Sequence, residues 1–415
     1  LAAGYHADAR DAPGAGPRRD LRRERVPMPA ASTTDLFDLL VVGGGVFGLG
    51  TAAEAARRGR SVAVIERGPL PNPVAASYGP SRKIRSTYTE PHYASLAREA
   101  MTAWRQIERE TGAELYLAVG NLAYTALDEQ PHLDALESVS REIGADIELL
   151  DQATMRARYP QFRRAKRAIL ERDAGFVRAS ACIEALRVVA ERAGATILPE
   201  REIFAIDLDG PKVVVATATG ERFTGERAVL AMGGWTRRLL PELTDVLTQT
   251  QQGIMYLASV PEAFHSPALP AWGCSDDGVY GFPAWKSDPF KIAHHTQSPA
   301  VESPDFDRMT APAGFVDDMR AFLRDHLGID PDAAPVRAES CMYNLSPSSD
   351  FLIDVHPRDP RLLVATGGSG HGFKFGSVIG SAVMDRLDGV SSTRWNPIFA
   401  WDHVVKAPAP LGRLR

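Results

Sequence analysis

The residues best placed to do chemistry begin at Gly43. Gly43, Gly45 and Gly48 stand on the spacing G-x-G-x-x-G, directly after the apolar run Leu39-Leu40-Val41-Val42. In that pattern the first glycine permits a tight turn and the second lets the main chain approach a pyrophosphate. The third lets the following helix pack close to the strand. Phosphates would sit on the free N–H groups and positive end of a helix expected over 48–58. A second apolar run, Ser61-Val62-Ala63-Val64-Ile65, ends in Glu66, eighteen residues past Gly48. A carboxylate there would accept from a ribose hydroxyl. An ordinary glycine-rich turn explains the glycines alone, but not the second strand and its terminal Glu.

Four further groups stand out. Arg82, Lys83 and Arg85 fall within four residues, between Gly79 and Tyr88. A helix would place Arg82 and Arg85 on one face, either as a solvated basic surface or with one guanidinium forking onto a carboxylate. Lys291 and His295 share a face at strand spacing and would line a pocket or look at water. Gly233-Gly234 follow an apolar run at 228–232, where backbone would turn or lie against a ligand. A second glycine-rich turn, 367–376, contains Gly370 and Gly372 and leads into a helix expected over 378–387. It would hold the other end of the same long cofactor. Cys182, Cys274 and Cys341 are too few for a disulfide framework and lack metal-ligand spacing, so no metal site is expected. On its own Cys341 reads as an inert core residue.

The scaffold for these groups is α/β. The chain has 415 residues, enough for two domains. Its 44% apolar and 24% charged content is that of a globular protein. A net charge of −5, with no basic block beyond the first thirty residues, argues against a nucleic-acid partner. No run of eighteen apolar residues is present, so no membrane span is expected. The cysteine usage fits a reducing, cytoplasmic setting. Residues 1–34, rich in Ala, Arg, Pro and Asp without an apolar core, read as a disordered tail, with Met28 the expected start; a basic tail that binds a partner is the other reading. Helices are expected over 92–111, 131–143 and 180–193, with a short helix capped by Asp151. Strands are expected at 121–125, 195–198, 203–207, 212–217, 253–259, 278–283, 290–296 and 362–366.

These stretches together resemble the monomeric sarcosine oxidase family, within the D-amino-acid-oxidase-like FAD-dependent oxidoreductases. The resemblance runs from Asp35 to about Gly389. Its most specific parts are Cys341-Met342-Tyr343 with Phe351-Leu352-Ile353-Asp354, and Ser369-Gly370-His371-Gly372-Phe373-Lys374-Phe375. It implies that Cys341 carries the flavin through a thioether and that Arg82 lies by the isoalloxazine ring. It also implies that Arg85 and Lys374 hold a substrate carboxylate, that Tyr280 and His295 line the substrate face, and that Lys291 promotes reaction with O2. Tyr78 stands where sarcosine-type members have histidine, and Pro80 where an acidic residue follows the glycine. The run 83–88 looks more like the branch acting on fructosyl amino acids, saccharopine or pipecolate. Trp285-Lys286-Ser287-Asp288-Pro289 replaces a glycine-rich loop.

The expectation is a Rossmann-like FAD domain from 35–90, 165–245 and 335–390, and a discontinuous mixed-sheet substrate domain from 91–164 and 246–334. A C-terminal extension, 391–415, follows. The function expected is a monomeric oxidase that takes a secondary amino acid to an imine and reduces O2 to H2O2. The rivals are a dehydrogenase or desaturating oxidase acting on a cyclic or N-alkylated amino acid, a flavin-binding module without turnover, and a nicotinamide dehydrogenase.

Overall fold

The run at Leu39 forms the central strand Leu36–Val42, parallel to Val62–Ile65 on one side and Arg222–Leu230 on the other. The computed structural model of the protein describes residues 36–295, 298–330, 332 and 336–408. The expected disordered tail, 1–34, and the last residues of the 391–415 extension lie outside them. Thr196–Leu198 extends the sheet beyond Val62–Ile65. The first half of Arg222–Leu230 pairs with the antiparallel hairpin Ile203–Asp207 and Val213–Thr217. Its last residues pair in parallel with Asp359–Thr366, which carries Leu352–His356 at its far edge.

Both faces of this sheet are covered, which is why its strands read as unbroken Leu and Val. Leu39, Val41, Val62 and Val64 point into a core made with the helices Val46–Arg57, Pro91–Thr111, Ala179–Arg192 and Gly376–Asp388. Leu40, Val42, Ala63 and Ile65 point into a second core under the hairpin. The helices Val46–Arg57 and Gly376–Asp388 meet at glycine: a Cβ on Gly380 would lie 2.1 Å from the carbonyl oxygen of Gly50.

A second sheet has eight strands in the order Val336–Leu345, Thr248–Leu257, Phe290–His294, Val279–Phe282, Ala271–Cys274, Asn121–Thr125, Arg167–Glu171, Ile147–Leu150. Every neighbouring pair is antiparallel except Ala271–Cys274 with Asn121–Thr125. One face packs Trp272 and Phe290 against Phe322 of the helix Phe315–Phe322. A three-stranded sheet, Ser81–Ile84, Gly175–Arg178 and Tyr116–Leu117, lies apart from both.

Several expectations are corrected here. The basic run forms a strand, not a helix: Arg82 pairs with Val177 and Lys83 with Phe176. The helical face expected for Arg82 and Arg85 therefore does not form; Arg85 lies just past the strand's end and acts electrostatically on Lys83. Residues 167–171 and 336–345, assigned from sequence to the FAD domain, belong to the second sheet. Apolar periodicity reports which side of a strand is buried, not which strand lies beside it. Over its described part the extension after 390 packs on the first sheet, for Phe399 and Val404 are buried and the Trp401 amide donates to Asp354 at 2.8 Å. The strand expected over 290–296 ends at His294, so His295 follows it.

Candidate active site

A cleft of about 1210 Å³, counting the space open to solvent at its mouth, runs along the carboxyl ends of the parallel strands. Ligands bind at that edge in open α/β sheets. At its centre Gly43 adopts φ +107°, and a Cβ there would lie 2.4 Å from the Ala231 carbonyl. A Cβ on Gly48 would meet the Gly43 carbonyl oxygen at 1.8 Å. Both glycines are thus demanded by the turn and by the helix packed on it. The helix Val46–Arg57 begins with no side-chain cap on Gly45 and no acidic residue in its first turn, while Gly45, Val46 and Phe47 line the cleft. The Val46 N–H donates to Ser77 Oγ at 3.1 Å, and the positive end of the helix faces the cleft, as an anion site would.

Glu66, 6% exposed, fixes one end. Its carboxylate accepts from the amides of Gly44 at 2.6 Å and Gly68 at 3.1 Å, and from Asn72 Nδ2 at 2.8 Å. A carboxylate has about four acceptor directions, so one stays available to a ribose hydroxyl. The Arg67 guanidinium, stacked 4.7 Å over Trp235, stands at the same end.

At the opposite end the cleft is walled by Arg82, Cys341, Tyr343, Gly370, Gly372 and Phe373. Cys341 faces Gln252 across the edge of the second sheet, half-buried, with Sγ 3.6 Å from Arg82 Nη2. Arg82 is held by carbonyls, those of Ser81, Ala76 and Tyr78 at 2.9, 2.9 and 2.5 Å. Gly370 takes φ +77°, and a Cβ on it would strike the Tyr343 ring at 2.4 Å. A long cofactor with a pyrophosphate in the middle, a ribose at Glu66 and a ring by Cys341 fits this donor set, which is that of FAD.

Tyr280, His295, Lys291, Arg85 and Lys374 stand behind that end wall rather than along the cleft itself. The Lys291 ammonium, 2% exposed, donates to the Ser81 carbonyl at 2.9 Å, the oxygen that Arg82 also uses. Burial, then Arg82, bring its pKa down to about 7. His295 Nδ1 is 3.0 Å from the Tyr343 hydroxyl, and Tyr280 also interacts with that hydroxyl. Burial pushes both phenols up, so both remain neutral donors.

Lys374 donates to the Tyr88 hydroxyl at 2.7 Å and the His371 carbonyl at 2.8 Å. The Arg85 guanidinium lies 4.5 Å over the ring of the same Tyr88, and its Nη1 is buried without a hydrogen-bond partner. Burial, then Arg85, then Lys83 hold the Lys374 ammonium well below its ordinary range. Among the described residues none of Arg82, Lys83, Arg85, Lys291 and Lys374 forms an ion pair. Lys83 is the member that sequence reasoning left unassigned; reading 81–84 with a period of two would have separated it from Arg82. Elsewhere the fold brings Cys274, Asp277 and His326 within 4.8 Å of one another. Sequence spacing could not show this, because His326 arrives from a distant helical turn. Burial pushes the Cys274 thiol up to about 12, and Sγ lies 3.4 Å from Asp277 Oδ2, as in a neutral thiol donating to a carboxylate.

Fold and cleft define a flavin-dependent oxidoreductase, and the chain belongs to the FAD dependent oxidoreductase family, whose profile matches residues 38–386. Within that family it is 29% identical over 369 residues to the peroxisomal sarcosine oxidase of Mus musculus, covering 86% of this chain and 93% of that one. It is 30% identical over 363 residues to the N-methyl-L-tryptophan oxidase of Citrobacter koseri, covering 86% and 95%. In fold it is similar to NikD, described as an unusual amino acid oxidase essential for nikkomycin biosynthesis. There the TM-score is 0.75 at 24% identity, over 92% of this chain and 100% of that one. No helix among the described residues is long and apolar enough to cross a membrane.

Proposed function

We propose that the protein oxidises the C–N bond of a secondary α-amino acid to an imine, with O2 reduced to H2O2. The observation that carries this reading is the pair of half-buried Arg85 and buried Lys374 around one tyrosine, with an unpartnered Arg85 Nη1 and, among the described residues, no ion pair to a carboxylate, Glu171 acting on both only at longer range. A buried cation costs stability unless an anion pairs with it. A guanidinium fork beside an ammonium suits a substrate carboxylate. FAD, held by the Gly43–Gly48 turn, Glu66 and the Cys341 end of the cleft, would supply the two-electron redox chemistry.

The chain's own groups do the rest. Arg85 and Lys374 fix the carboxylate end, and Tyr280 and His295 border the amine. Lys291, held at Ser81 beside Arg82, stabilises negative charge as O2 is reduced. Cys341, alone among the cysteines in facing the cofactor end of the cleft, anchors the flavin by a thioether. The protein works as a monomer, and its three cysteines, too few for a disulfide framework, fit the reducing cytoplasm. The test is anaerobic mixing of the yellow protein with N-methyl and cyclic α-amino acids. They should bleach the flavin, and air should restore the colour with one H2O2 per turnover. Bleaching by the matching decarboxylated amines at equal rates would overturn the reading, as would no bleaching by any amino acid.

A further inference from the structure

One cation of the site has no task in that chemistry. Lys83 follows Arg82 on the strand Ser81–Ile84, and Arg85, just past the strand's end, acts on it electrostatically. Its Nζ donates to the Trp272 carbonyl at 2.7 Å, lies 5.2 Å from the centre of the Tyr280 ring, and would stand 3.3 Å from a Cβ on Gly273. An ammonium has three donors, and that carbonyl is the one hydrogen-bond acceptor Lys83 has among the described residues. The side chain is half-buried among rings and other cations: Phe176, paired with it, packs edge-on to Phe282 with Trp285 alongside, and Arg85 and Lys374 lie within electrostatic reach. Burial and Arg85 both oppose its charge. A lysine retained only to fill space would be cheaper as Met or Leu in such a setting.

The charge count gives the reason for it. Arg82 and Lys291 share a carbonyl at the cofactor end. Arg85 and Lys374 share Tyr88 and suffice for one carboxylate. The buried acid that acts on Arg85 and Lys374, Glu171, is already engaged by the amides of Ser86 and Thr87, and burial raises its pKa, which weakens it as a counter-ion. Lys83 is therefore surplus for a substrate carrying a single carboxylate.

We infer that Lys83 and the aromatic wall of Tyr280, Phe282 and Trp285 form a second anion subsite, and that the substrate is a dicarboxylic secondary amino acid. This rests on the carboxylate site proposed for Arg85 and Lys374. The α-carboxylate docks there, and the distal carboxylate, on the side chain or the N-substituent, reaches Lys83 past Tyr280. Such a substrate supplies the counter-charge that the fold withholds.

The test uses the flavin-loaded enzyme and non-oxidisable thioethers, in which sulfur replaces the amine nitrogen, titrated by the change they cause in the flavin spectrum. The probes are (methylthio)acetate, 3-(carboxymethylthio)propanoate, its one-methylene-longer homologue, and the distal monoamide of each diacid. In the wild type at least one diacid should bind at least tenfold more tightly than its monoamide. In Lys83→Met that preference should fall to about one while (methylthio)acetate binds as before, and Lys83→Arg should retain it. No preference in the wild type, or the same preference in Lys83→Met, overturns the inference and leaves the α-carboxylate site standing. Failure of every carboxylate, (methylthio)acetate included, to perturb the flavin overturns both.

Discussion

Replacing Lys291 by Met tests whether one buried ammonium serves the reaction with O2. Its pKa lies at about 7 against an ordinary 10.5, through burial first and Arg82 second. The ammonium thus predominates below about pH 7 and is lost as pH rises through that value. Removing one preorganised donor of this kind costs roughly 10²–10³ in rate. Flavin reoxidation in Lys291→Met should therefore be about 10²–10³-fold slower at pH 6, with reduction by the amine changed only a few-fold. The wild-type reoxidation rate should fall about tenfold per pH unit above 7, as the charged fraction does, towards the level of the variant, which should show no such break. Stability should move the other way. Between about 7 and 10.5 the unfolded chain binds more protons than the folded one, so this group makes stability rise with pH there. The gap corresponds to about 5 kcal/mol, less about 1 kcal/mol for the hydrogen bond to Ser81. Lys291→Met should be more stable than wild type at pH 6, by up to a few kcal/mol, and the advantage should shrink towards pH 10. Stopped-flow measurement of each half-reaction, with urea unfolding across pH, reads both effects. Equal slowing of the two half-reactions, or an unchanged pH break in the variant, would refute the reasoning.

Three shorter predictions bear on the rest of the site. After acid precipitation the flavin should stay with the wild-type pellet and pass to the supernatant in Cys341→Ser; colour released from the wild type would refute the thioether. Lys374→Met removes a charge-assisted contact worth about 1.5–3 kcal/mol, so KM for an amino acid should rise roughly 10- to 150-fold. An equal rise for the corresponding amine without a carboxylate would show that Lys374 holds structure rather than substrate. Gly48→Ala sets a methyl 1.8 Å from the Gly43 carbonyl oxygen. The protein should be purified largely without flavin and with a lower Tm, and full flavin content would count against the close strand–helix contact.

Much of the cofactor half was legible because its signals are local. The turn at Gly43–Gly48 and the helix after it depend on φ, on the missing Cβ and on neighbouring backbone, all set within a dozen residues. Glu66 is likewise placed by the end of the next strand. Asp151 was readable as a helix cap for the same reason: its side chain accepts from the Thr154 amide, three residues on, at 2.8 Å.

What the sequence by itself determined is therefore the parallel strand, its glycine turn and the acidic end of a dinucleotide cleft. Only tertiary structure decided the period of 81–84, because the strand form is set by its pairing with Gly175–Arg178, ninety-odd residues away. That pairing sends Arg82 towards Cys341 and leaves Lys83 within electrostatic reach of Arg85. The sheet to which 167–171 and 336–345 belong was likewise decided by distant partners, as was the approach of His326 to Cys274. A side chain's direction follows from local backbone geometry, but the company it keeps depends on which remote segment supplies the missing hydrogen bonds.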